Sequence, residues 1–205
     1  MLLLVVLVLG AAVAYRRHQG SRQGDASKSL RDLSPRRRTL SQRETEHEAR
    51  GRRRQRLWLS MRGPGLHALP GRLDEPMRAL QKLHGMLAEA PAWEARLPGS
   101  DVLEITERAD RLYDVALGEA ERALHLDELA RTVESGGQVD LRQRLDEVLT
   151  DLSATVRTLA AALDQLHASA VGGGFDPSIR QRLRDEMDAR LQVATRVEQR
   201  MAELE

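Results

Sequence analysis

The side chains of this chain that could do chemistry are few, and their spacing does not assemble a reaction centre. Six histidines are present, and four-helix bundles can hold di-iron centres through paired Glu-x-x-His motifs. The motif occurs once, as ETEH at residues 44–47, ahead of the segment that reads as a bundle. DQLH at 164–167 substitutes Asp for the Glu, and ERALH at 121–125 places its His one residue too far along. Histidines on solvated helix flanks are therefore the simpler reading, and no metal ligand is assigned. Ser60, Ser100 and Ser169 lack the strand-turn-helix context of a nucleophile elbow. GGG at 172–174 follows a helical pattern and carries no Lys, so it is a linker and not a phosphate loop. The sequence has no Cys, which excludes disulfides, thiol catalysis and cysteine-ligated metals. No catalytic residue and no cofactor is assigned, and the expectation is a protein that is not an enzyme.

What remains is binding chemistry. Arg16 and Arg17, then RRR at 36–38 and RRRQR at 52–56, form a basic series. An arginine near an anionic bilayer contributes about 1 kcal/mol of attraction. Arg16, Arg17, Arg36, Arg37, Arg38, Arg52, Arg53, Arg54 and Arg56 are accordingly the candidates for contact with anionic lipids, with a solvated tail as the plain alternative. Clustered arginine also suits nucleic-acid phosphates. Only Trp58 interleaves these arginines and no reader motif is present, so nucleic acid is not the expected partner. RRRTLS also offers Thr39 and Ser41 as a basic-directed phosphorylation site, a match that arises easily in arginine-rich sequence. Leu57, Trp58, Trp93 and Tyr113 are candidates for contact with other proteins, because aromatics are enriched where binding energy concentrates. Packing at bundle ends is their alternative.

Charge divides the chain. Residues 16–62 hold fifteen Arg or Lys against five Asp or Glu, whereas residues 63–205 hold seventeen against twenty-six. Such a division suits a basic segment near a polyanionic surface and an acidic domain held away from it. Lys occurs twice against thirty Arg, and Asn is absent, a bias that a GC-rich bacterial genome explains without reference to function.

The chain opens MLLLVVLVLGAAVAYRRH, in which residues 2–9 and 13 include five Leu and four Val. Those nine favour a bilayer by roughly 3 to 5 kcal/mol. Fifteen helical residues span only about 22 Å, short of the hydrocarbon core, so crossing requires local thinning or snorkelling arginines. Ala12-Val13-Ala14 also fits a signal-peptidase site. No basic residue precedes the apolar run, however, and Arg16 and Arg17 follow it at once. The expectation is an uncleaved anchor over 1–15, with the N-terminus outside and the remainder on the cytoplasmic face of the plasma membrane. An exported cell-envelope protein with a cleaved or retained signal is the alternative.

The elements beyond it read as helices. Residues 16–40 lack apolar periodicity and suit a flexible basic linker, and SQRE at 41–44 fits a capping box opening a polar helix to about Met61. Two Pro and three Gly at 63–71 break the chain. Leu73, Met77, Leu80, Leu83 and Leu87 then form one stripe that Pro91 should close, with Trp93 in a loop. Long helices are expected over 101–135, 140–171 and 177–205. Their stripes run through Ile105, Ala109, Leu112 and Ala116, through Leu145, Leu152, Leu159 and Leu166, and through Leu183, Met187 and Ala194. DVLE at 101–104 and Asp176-Pro177 are the start signals of the first and third.

The fold class is therefore all-α: an anchor helix at 1–15, a basic juxtamembrane linker and polar helix over 16–62, a Pro/Gly break over 63–72, and an acidic antiparallel three- to four-helix bundle with long coiled-coil-like helices over 73–205. Together they suggest a membrane-anchored scaffold, adaptor or assembly factor whose partners are other membrane or cytoplasmic proteins, a second copy of the chain among the candidates, with a metal-binding bundle enzyme as the remaining alternative.

Overall fold

The computed structural model describes residues 35–62, 69–97, 100–133, 137–172, 174 and 176–202. The proposed anchor, with Arg16 and Arg17, lies outside them. Contacts divide the chain into two units, Met1–Glu46 and His47–Glu205. In the first, the described part is helical, with Gln42 Nε2 donating to Glu46 Oε1 at 3.2 Å one turn away.

Five helices account for the described secondary structure: α1 (Pro35–Ser60), α2 (Leu69–Arg96), α3 (Ser100–Thr132), α4 (Gln138–Gly172) and α5 (Pro177–Ala202). No strand occurs among the described residues. None of these helices is long and apolar enough to cross a membrane.

Several boundaries differ from the sequence expectation. Helix α1 begins at Pro35 rather than Ser41. Proline suits the first helical position, where its missing N–H is not needed, so SQRE falls inside a helix and cannot act as its capping box. Helix α2 starts at Leu69, places Pro70 and Gly71 in its first turn, and continues through Pro91 to Arg96. A proline inside a helix costs about 3 kcal/mol. Pro91 is exposed, while Leu87, Ala90, Trp93 and Leu97 on the opposite side stay buried. Burial of those side chains, at about 1.5–3 kcal/mol for each large one, outweighs the lost hydrogen bond and keeps the stripe running. Trp93 is consequently in a helix and not in a loop.

The start of α5 follows the expected cap. Asp176 Oδ1 accepts from the Ser178 backbone N–H at 2.7 Å and from the Ser178 hydroxyl at 2.8 Å, while Arg180 N–H donates to the Asp176 carbonyl at 3.0 Å. The two Ser178 donors, hydroxyl first and then backbone N–H, hold the Asp176 carboxyl below its ordinary range. At the turn between α3 and α4, Gln138 Nε2 donates to the Ala130 carbonyl at 2.9 Å and so satisfies one of the last carbonyls of α3.

Within the unit from His47 onward, α2 to α5 run up, down, up, down. Arg72 meets Asp146 at 2.7 Å near the starts of α2 and α4, and Trp93 meets His167 at 5.6 Å near their ends. Glu104 with Arg184 and Arg108 with Asp188 align α3 with α5 in the same way. Both α2 and α5 pack on α3 and on α4, and the α3–α4 pairing is the most extensive. The reason is the small side chains: Ala109, Ala116, Ala120 and Ala123 of α3 and Ala162 of α4 are fully buried, and helix axes approach more closely where such residues meet. Leu112, Leu117, Leu152, Leu159, Leu163 and Leu166 complete the core around that seam.

Overfilling the seam has a defined cost. Ala116→Leu should destabilise the protein by about 1–3 kcal/mol in chemical denaturation, since inserted methylenes force neighbours out of their rotamers. Val139→Leu, at a position 74% exposed, should change stability by less than about 0.5 kcal/mol.

Candidate functional site: the α1 clasp and the Glu119 cluster

From His47, α1 is the fifth helix of the bundle unit. The sequence places it apart from the acidic domain, as a polar helix needing a surface. Its surface is the groove between α2 and α3. His47, Arg50, Gly51, Arg54, Leu57, Trp58 and Met61 recur at helical spacing and form the inward stripe. Leu57 and Met61 are buried in the core cluster, and Trp58 packs partly buried against it.

The docking is ionic at its centre. Arg50 Nε and Nη2 grip Asp114 at 2.9 and 2.8 Å, while its Nη1 donates to Asp110 at 2.8 Å. The Arg50 side chain is only 11% exposed, so the fork satisfies its donors with two carboxylates one turn apart on α3. One turn on, Arg53 makes a second two-point pair with Glu121, its Nε lying 2.6 Å from Oε1 and its Nη2 meeting Oε2. The two forks bind α1 parallel to α3. Bidentate arginine–carboxylate pairs are about twice as strong as neutral hydrogen bonds and fix geometry as well.

On the α2 side, His47 stacks face to face on His84 at 3.7 Å, and His84 in turn leans on Tyr113 at 5.7 Å. Gly51 permits the approach, because a Cβ there would stand 3.0 Å from His84 Nε2. Burial, followed by the charges around it on His47, Arg54 and Arg50, pushes His84 down to about 4. Burial and then Arg50 and Arg54 lower His47 as well. Both rings are thus neutral at pH 7, and the stack is between uncharged imidazoles. Tyr113 donates its hydroxyl to the Leu80 carbonyl at 3.3 Å, and burial raises it to about 12.

A second polar cluster joins α3, α4 and α5. Arg190 of α5 donates from Nε to Thr155 Oγ1 at 2.8 Å and from Nη2 to Asp151 Oδ1 at 3.0 Å, and it approaches Glu119 Oε1 at 3.6 Å. Glu119 is 5% exposed and its Oε2 has no partner. Desolvation raises its carboxyl to about 7, although Thr155 and Arg190 pull the other way. One arginine therefore ties α5 to its two neighbours beside a carboxyl that titrates near neutrality. Glu119 lines neither of two surface clefts, one of about 530 Å³ between α3 and α5 at Arg111, Leu191 and Arg196, the other of about 160 Å³ between α1 and α2. Among the described residues no three metal-ligating side chains come together.

The candidate residues separate. Arg52 and Arg56 are exposed and Arg54 is half-buried beside Gln81, whereas Arg53, also half-buried, is engaged by Glu121 across the α1–α3 contact. The side chains of Arg36, Arg37 and Arg38 lie outside the described residues. Leu57, Trp93 and Tyr113 are core residues of this chain, which makes packing their role here. Trp58 is the interaction candidate that keeps an accessible surface, with the Arg62 guanidinium 5.0 Å from its ring centre. The sequence reading missed the Arg50 fork, Gly51, His84 and Arg190. The pairing of Arg50 and Arg53 with Asp110, Asp114 and Glu121 had a signal, opposite charges repeating at helical spacing in two segments.

The two clusters have opposite pH dependence. Because His47 and His84 have folded values below their unfolded ones, their contribution to stability is complete above about pH 6.5 and is lost as the pH falls toward 4. Amide protection factors in α1, which remove the intrinsic pH dependence of exchange, should fall over that range, and His84→Phe should flatten the response. Glu119 is raised, so its contribution is complete below about pH 4.5 and is lost as the pH rises through 7. Glu119→Gln should abolish that fall in stability, read as the urea midpoint between pH 5 and 8. Arg50→Ala should cost about 1.5–3 kcal/mol in the same assay, the range for hydrogen bonds to charged groups.

Neither family models, nor curated proteins, nor solved structures include a match to this chain.

Proposed function

We propose that the protein is a membrane-anchored, non-enzymatic scaffold or adaptor whose helical bundle binds another protein at the cytoplasmic face of a bacterial plasma membrane. The observation that carries the reading is the order of the sequence: a charge-free apolar run over 1–14, arginines directly after it, and an acidic helical domain beyond. A stop of positive charge on the cytoplasmic side orients a single anchor in this way. The helical fold agrees with such a role, because parallel and antiparallel helix faces are ready surfaces for partner helices.

The face offered to a partner lies at the turn between α3 and α4. Leu129, Val133 and Val139 are exposed there within a short stretch of chain, three apolar side chains that meet solvent close together. They replace Leu57, Trp93 and Tyr113 as the protein-contact candidates.

Three measurements test this. A reporter fused at the C-terminus should behave as cytoplasmic, and Leu4→Arg with Leu7→Arg should release the chain from carbonate-washed membranes. An active periplasmic reporter would instead establish the exported alternative. A photo-crosslinker at Val139 should give one defined adduct in membranes, at least several-fold weaker after Leu129→Glu. A pattern that is unchanged by Leu129→Glu would remove the α3–α4 turn as the contact.

A further inference from the structure

Between residues 51 and 62 the chain reads GRRRQRLWLSMR, with five Arg and no Asp or Glu. The structure sorts these arginines. Arg53 turns inward to Glu121. Arg52, 63% exposed, and Arg56 and Arg62, both exposed, line the outer side of α1 and the turn after it. In their midst Leu59 is 61% exposed, with Arg56 one turn before it on α1 and Arg62 in the turn just after, its backbone N–H donating to the Leu59 carbonyl at 3.1 Å. Beside it runs the cleft between α1 and α2, lined by Arg54, Gln55, Trp58, Met77 and Gln81.

We propose that this α1–α2 face docks on an anionic phospholipid surface, with Leu59 entering the headgroup layer and Arg54 receiving a lipid phosphate in the cleft beside Trp58. The proposal rests on the membrane tether of the preceding section and adds which face of the bundle lies against the bilayer. Charge complementarity is the first support: the outer side of α1 here is basic, whereas the domain as a whole is acidic, so this face is attracted to anionic lipid against the sign of the domain that carries it. The combination of side chains is the second. Leucine and an amphipathic tryptophan amid arginines is the composition of an interfacial helix, apolar groups entering the boundary while cations meet phosphates. A free phosphate would have no use for Leu59. A nucleic-acid strand would need the open face of Trp58 for base stacking, and that ring is half-buried, with Met77 in the same cleft and Arg62 over it.

The cleft chemistry is complete for an anion. Arg54 makes a long contact of 3.4 Å to the Gln81 carbonyl and also meets the Tyr113 hydroxyl, so part of its guanidinium is engaged, and the side-chain amides of Gln55 and Gln81 supply further donors. Glu48, exposed and 3.4 Å from Arg52, and Asp74, half-buried and 2.8 Å from Arg78, are each paired one turn away on their own helices.

The absence of native Cys makes the test direct. The full chain carrying Leu59→Cys is labelled with a polarity-sensitive dye and mixed with phosphatidylcholine vesicles, with or without phosphatidylglycerol. Val171→Cys, 69% exposed at the far end of α4, is the matched control. The dye at 59 should shift to the blue only with phosphatidylglycerol, and the dye at 171 should not shift. Arg56→Glu and Arg62→Glu, both at exposed positions, should each weaken the lipid dependence at least about five-fold, the factor equivalent to 1 kcal/mol per arginine. Arg54→Lys should weaken it as well, since a point charge cannot reproduce a two-point phosphate contact. Equal shifts in neutral vesicles, equal shifts at 59 and 171, or no effect of Arg56→Glu would each overturn the docking face. So would a response at 59 to duplex DNA or inorganic phosphate with none to vesicles. Flotation with neutral vesicles reads the tether separately: a chain that does not float with them yet shifts with anionic ones keeps this face and loses the anchor.

Discussion

The close approach of α3 to α4 is the constraint on which the rest of the bundle depends. Alanines at 109, 116, 120 and 123 leave no bulk on the facing side of α3, and Ala162 does the same on α4. Two helices that come this near present a shared ridge to both sides, so α2 and α5 can each pack on both members of the pair. Leucines flank the alanines and fill the two grooves so formed. Dispersion and burial at such a seam are sensitive to a single methylene, because the interior is already close-packed.

Ionic contacts then decide which further elements dock, and where. The outer groove between α2 and α3 receives α1 through two arginine forks, Arg50 on Asp110 and Asp114 and Arg53 on Glu121. Hydrophobic burial alone gives α1 a poor hold, since Leu57, Met61 and part of Trp58 are its main apolar contributions. The forks supply register and direction, as buried polar pairs can where apolar packing is degenerate. On the other side of the seam, Arg190 performs a comparable task for α5 by meeting α4 and approaching α3. The first and last helices of the unit are thus each pinned by arginine to a bundle whose centre is aliphatic.

These pins bring titratable groups into partly dry surroundings with opposite consequences. At α1, neutral imidazoles sit among guanidinium groups, so added protons would be repelled there. At α5, an unsolvated carboxyl prefers its proton. Acid therefore loosens one end of the chain's helical order and alkali the other, and both act within a few units of neutrality.

All-helical architecture was legible in the sequence because apolar residues repeated with the helical period, as in Leu145, Leu152, Leu159 and Leu166, and because start signals such as Asp176-Pro177 are local chemistry. Helix limits set by proline were not legible. Whether Pro91 ends a helix depends on how much surface lies buried beyond it, and only the packing of Trp93 and Leu97 reveals that. The candidate sites divide on the same physical line. Arg52, Arg53, Arg54 and Arg56 read identically in sequence, and tertiary structure turned Arg53 to a carboxylate sixty-eight residues away while leaving Arg52 and Arg56 in solvent. The sequence by itself determined composition, helical period and the division of charge along the chain, all properties of neighbouring residues. Which arginines bind inside the protein and which face outward was decided only by the fold, because a helix face acquires its partner from the whole arrangement of helices and not from its own residues.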